Sequence, residues 1–175
     1  MIERREVEAP KQAIDPNDPV IEGRVVNSMV DSLTMDHVRF AEPLSRMTRA
    51  ASALASSPAD LKLRAEAIDA WMLLKSDLWH HLSQENSLLF SWAGPRPDVP
   101  NHLIAAQRRD QRNIRALVQK IGEQRFLKTG EWDMKPTATA LSDLASLLEA
   151  HIERDEAALF PSIRQAAMEL ESALH

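Results

Sequence analysis

His81 precedes Glu85 by four residues, and His151 precedes Asp155 by the same interval. On an α-helix that spacing puts imidazole and carboxylate on one face, about 6 Å apart along the axis. Imidazole nitrogens and carboxylate oxygens together suit iron or manganese, with zinc also compatible. A third histidine, His37, lies in "DHVRF". It continues an apolar stripe of Val30, Leu33, Phe40 and Leu44. The two pairs are framed in the same way, His81 and Glu85 by Leu74, Leu78, Leu88 and Trp92, His151 and Asp155 by Leu144, Leu148 and Leu159. Ionisable groups on three inward stripes are costly to bury alone, and a bound cation offsets that cost. His80 is different: it is rotated about 100° from His81 towards Asp77 and Gln84, a polar flank.

The elements that position these residues are helices. The apolar residues are mainly Leu, Ala, Met and Ile, and the 175 residues include only four glycines and no tyrosine. That mixture favours helix over strand. Residues 1–21, with Pro10, Pro16 and Pro19, are predicted to form an extended arm, and residues 22–175 one domain. Apolar positions recurring every three or four residues predict a first helix from about Glu22 to Ala55, bent at Pro43. Ser57 as N-cap and Pro58 in the first helical position predict the start of a second helix, ending near Trp92. After "AGPRPDVPN" a third helix runs to about Ile121, and after "KTGEWDMKPT" a fourth starts at Thr137. The predicted fold is all-α, an up-down four-helix bundle.

Composition narrows the function. With no cysteine, disulfides, thiolate metal sites and thiol catalysis are excluded. A net charge of −5 and scattered basic residues argue against nucleic-acid binding. There is no apolar leader and no apolar run of membrane-spanning length, so the expectation is a cytoplasmic protein without membrane contact.

A weak internal duplication brings the candidate residues together. "DHVRF" (36–40) aligns with "DQRNI" (110–114), and "HLSQENSLLF" (81–90) with "HIERDEAALF" (151–160). Each half reads as one helical hairpin, with a signature on its first helix and a His-x-x-x-acid signature on its second.

On "DH" at 36–37, "HHLSQEN" with Leu-Phe at 80–90 and "HIERDEAALFP" at 151–161, the chain resembles the hemerythrin-like, or HHE cation-binding, family over roughly residues 22–165. The resemblance implies a non-haem iron pair inside four helices. His37, His81 and His151 would be imidazole ligands, and Glu85 and Asp155 bridging carboxylates. Glu156 is an alternative to Asp155, which lies nearer the centre of the apolar stripe. The third-helix histidines of the family are matched here by Gln111 and, one turn earlier, Gln107. Glutamine is a weak neutral ligand, and this departure points to one ion, an asymmetric pair, or none.

Two functions follow. The first is a non-haem iron protein of oxygen, nitric oxide, peroxide or iron response, with a small diatomic or peroxide as ligand, and a binding protein rather than an enzyme. The second is a metal-free bundle that serves as a protein-interaction module, its buried glutamines hydrogen-bonded to the histidines.

Overall fold

A computed structural model describes residues 19–123 and 134–172. Four helices account for almost all of them, and no strand occurs among the described residues. Helix α1 spans Pro19–Ser56 and continues through Pro43 as a single helix. Helix α2 covers 61–93, α3 is Asn101–Glu123, and α4 covers 134–172. α1 packs along α2 and along both halves of α4, and α3 packs along α4. The predicted bundle is the observed one. Most of the predicted arm, residues 1–18, and the "KTGEWDMKPT" connection up to residue 133 lie outside the described residues.

Several predicted boundaries move. α1 begins at Pro19, inside the segment assigned to the arm, and α4 begins at Met134 rather than Thr137. Ser57 and Pro58 do not start α2. They form a turn in which the Asp60 N–H donates to the Ser57 carbonyl at 3.1 Å. Asp60 is the N-cap, its carboxylate accepting from the N–H groups of Lys62 and Leu63 at 2.9 and 3.2 Å. An Asp cap of this kind contributes about 1 kcal/mol by satisfying amides that have no helical partner.

Helices α2 and α4 are each interrupted by one π-helical turn, Glu85–Leu89 and Asp155–Leu159. In each, the N–H of the following phenylalanine reaches five residues back, Phe90 to the Glu85 carbonyl and Phe160 to the Asp155 carbonyl. The extra residue rotates everything after it by about 100° relative to a straight α-helix. Phe90, Ala93, Phe160 and Ile163 thereby turn inward. Leu88, expected on the inner stripe, is 47 % exposed, and Leu89 is buried in its place. Trp92 is only partly buried, its indole N–H donating to Glu22 Oε1 at 2.6 Å.

The core has two parts. One gathers Phe40 to Leu54 of α1 with the first stretch of α2, the end of α3 and the start of α4. The other gathers Val26, Val30 and Leu33 with Leu89, Phe90, Ile104, Leu159 and Ile163. At this second end α1 approaches α4 closely enough that a Cβ on Gly23 would stand 2.8 Å from the Ala167 carbonyl oxygen. Between the two apolar clusters, every helix contributes buried polar residues: Asp36 and His37, His81 and Glu85, Gln107, Asp110 and Gln111, His151 and Asp155.

Candidate metal centre

Each helix delivers its share of this polar layer from one or two turns. Both π turns start on the carboxylate residue, so Glu85 and Asp155 sit at the point where their helices widen. Single-turn π segments occur often at functional sites, because they re-aim side chains within a continuous helix.

The inward nitrogens and oxygens converge. His37 Nε2 is 3.3 Å from His81 Nε2. His81 Nε2 lies 3.5 Å from Glu85 Oε1, and His37 Nε2 lies 3.8 Å from Asp155 Oδ2. One donor atom from each of His37, His81, Glu85 and Asp155 falls within 4.8 Å of the others. His151 borders the group, its Nε2 3.2 Å from Glu85 Oε2 and 3.4 Å from Asp155 Oδ2. All five side chains are buried.

Two of the outward ring nitrogens have hydrogen-bond partners of their own. His37 Nδ1 donates to Glu156 Oε1 at 3.0 Å. His81 Nδ1 faces Asp36 Oδ2 at 3.5 Å and makes no hydrogen bond. For His151 the partner is the carbonyl oxygen of Gln107, 2.8 Å from Nδ1. The Gln107 amide nitrogen donates to the His151 backbone carbonyl at 3.1 Å and to Asp155 Oδ1. Because that amide end is engaged, the oxygen end meets Nδ1, which therefore carries the ring proton. The other ring nitrogen, Nε2, faces the two carboxylates.

The glutamines divide the carboxylate oxygens into two sets. Gln111 Nε2 donates to Glu85 Oε2 at 2.7 Å, and Gln107 bonds to Asp155 Oδ1. The remaining oxygens, Glu85 Oε1 and Asp155 Oδ2, are buried and have no hydrogen-bond partner. They are also the oxygens nearest the His81 and His37 Nε2 atoms. Two orphaned carboxylate oxygens beside two imidazole nitrogens are a donor set that fits a divalent first-row metal.

Protonation follows the same division. Burial, reinforced by the neighbouring His81 charge and opposed by the Glu156 hydrogen bond, lowers the His37 pKa from 6.5 to about 4. The ring is then neutral at pH 7, the state in which imidazole binds a metal. Burial disfavours a charge on Glu85, but hydrogen bonds and charges from His151 and His81 outweigh it and hold the carboxyl well below its ordinary value. Asp155 goes the other way, pushed well up by burial and by the Glu85 charge against the Gln107 hydrogen bond. Two carboxylates this close resist being charged together, and a cation between them removes that conflict.

The sequence-predicted residues His37, His81, Glu85, His151 and Asp155 all meet in this layer. Glu156 does not. Its side chain is 48 % exposed and contacts only the outward nitrogen of His37. Gln107 and Gln111 face the interior as expected from their stripe. Sequence reasoning passed over Asp36, which is buried behind His81 and holds the Arg39 guanidinium at 3.2 Å. The signal was present in the duplication, which pairs "DH" at 36–37 with "DQ" at 110–111 and so repeats the aspartate. His80 is exposed, as its place on the polar flank implied.

The family model of the hemerythrin HHE cation-binding domain matches residues 28–163, a span that contains all four helices' contributions to the polar layer. No curated protein and no solved structure matches the chain.

Proposed function

This chain belongs to the hemerythrin HHE cation-binding domain family, and we propose that it holds one iron ion with His37, His81, Glu85 and Asp155, His151 bordering the same position. The observation that carries this reading is the pair of orphaned buried oxygens, Glu85 Oε1 and Asp155 Oδ2. A buried carboxylate oxygen without a donor costs about 1–3 kcal/mol or more, and a cation supplies what is missing. A single ion is favoured because the glutamine amides already engage the other oxygens of both carboxylates. When bound, iron supplies a Lewis-acidic position for a small diatomic or peroxide ligand. The protein's own residues present imidazole nitrogens, exclude bulk water by burial, and fix the carboxylates through Gln107 and Gln111. We assign it to oxygen, nitric oxide, peroxide or iron response in the cytoplasm rather than to oxygen transport.

A second reading has an observation of its own. The Gln107 and Gln111 hydrogen bonds form a polar network that ties α3 to α2 and α4 without any ion. In that reading the bundle is a metal-free interaction module.

Elemental analysis of protein purified without added metal, with an absorption spectrum in air, separates the two. The expected result is one iron per chain, lost in His81→Ala. Two irons per chain would refute the single-ion reading, and no uptake of Fe(II) under reducing conditions would leave the interaction module.

A further inference from the structure

A groove of about 870 Å³ runs between α1 and α4. Its walls include Ser45 and Thr48 of α1 and Glu149 and Glu153 of α4, together with His37 and Glu156. His37 is thus both a member of the buried cluster and part of a surface groove. The residue that links the two environments is Glu156. It follows Asp155 directly in the π turn, so its side chain leaves the helix on a different side from the Asp155 carboxylate and crosses to α1.

An imidazole can present its inward nitrogen either as a lone pair or as an N–H. Only the first binds a metal. The plane of the His37 ring is set by Phe160, which stacks on it at a centroid distance of 5.5 Å with 8° between the planes. Stacking leaves the tautomer and the end-for-end flip of the ring undetermined. The Glu156 carboxylate, an acceptor only, fixes both by taking the Nδ1–H at 3.0 Å. We propose that Glu156 is a positioning residue that holds His37 with its Nε2 lone pair towards His81, Glu85 and Asp155, and so sets how tightly the centre holds its cation. This rests on the metal-binding reading above and adds a residue that contacts the groove instead of the ion. Outer partners of this kind typically change metal affinity by about 10–100-fold.

The test has two readouts. Fe(II) is titrated anaerobically into wild type, Glu156→Ala, Glu156→Gln and Glu149→Ala, and the His37 ring nitrogens are observed by ¹⁵N NMR in the metal-free proteins. The expected result is that Glu156→Ala weakens Fe(II) binding by about 10–100-fold and moves His37 away from the Nδ1–H tautomer. Glu156→Gln, whose carbonyl oxygen still accepts, recovers most of both properties. Glu149→Ala, which removes a charge from the same groove, changes neither. Wild-type affinity in Glu156→Ala, or an unchanged His37 tautomer, overturns the inference and leaves the metal reading intact. Equal weakening by Glu149→Ala overturns it in favour of general groove charge. A wild-type chain that takes up no Fe(II) overturns the metal reading itself and, with it, the role in affinity. In that case the NMR comparison still reports whether Glu156 sets the tautomer.

Discussion

Gln107 uses its whole amide: the nitrogen donates to the His151 carbonyl and to Asp155, and the oxygen accepts from the His151 ring. Gln107→Leu keeps the approximate volume and removes all of these bonds. In metal-free protein it is expected to cost about 1–3 kcal/mol for each buried group left unsatisfied, measured by denaturant unfolding. An unchanged midpoint would show that the amide is not part of a stabilising network. At this scale the sequence was informative where chemistry and spacing coincide. His81 with Glu85 and His151 with Asp155 could be read because i,i+4 pairs on apolar stripes must share a buried face. Gln107 and Gln111 could be placed inside for the same reason. Their partners were not legible, nor was the outward path of Glu156. Hydrogen-bond direction depends on which side chains the neighbouring helices bring near, and periodicity along one helix carries no such information.

The π turns are the main feature of the elements that a helical repeat cannot reveal. A strict 3.6-residue period carries Phe90, twelve residues past Leu78, about 120° off the inner stripe, whereas the added residue turns Phe90 inward and buries it. Alanine substitution distinguishes the two registers. Phe90→Ala is expected to cost about 3–5 kcal/mol through the cavity it opens, and Leu88→Ala about 0.5 kcal/mol or less, compared by chemical denaturation. A negligible cost at Phe90 would mean that α2 is a regular α-helix through this stretch. Long elements were otherwise legible from their stripes, while their ends were not. Ser57 followed by Pro58 has the composition of a helix start, but the turn they form leaves the first free amides to Asp60.

For the whole molecule, the polar layer lies between two apolar clusters and joins all four helices. A cation bound there, and bound only by the folded chain, adds RT ln(1 + [L]/Kd) to stability, about 2.7 kcal/mol at a hundredfold excess over Kd. Thermal unfolding is therefore expected to shift upward on addition of Fe(II) and to return on chelation, and His81→Ala should show neither change. An insensitive wild type would support the metal-free module. The duplication made this architecture accessible from sequence, since two hairpins with matching signatures must meet about a common axis. The division of the core had no sequence signal of its own, because both clusters use the same Leu, Ile, Val and Phe residues. The cluster of Val26, Val30, Leu33, Phe90 and Ile163 is a second apolar core, joined to the larger one by continuous helices and by the charged and amide groups between them. A cation held in that middle layer is expected to couple the fluctuations of the two ends, read as slower amide hydrogen exchange at the far end of the bundle with no movement of the average backbone.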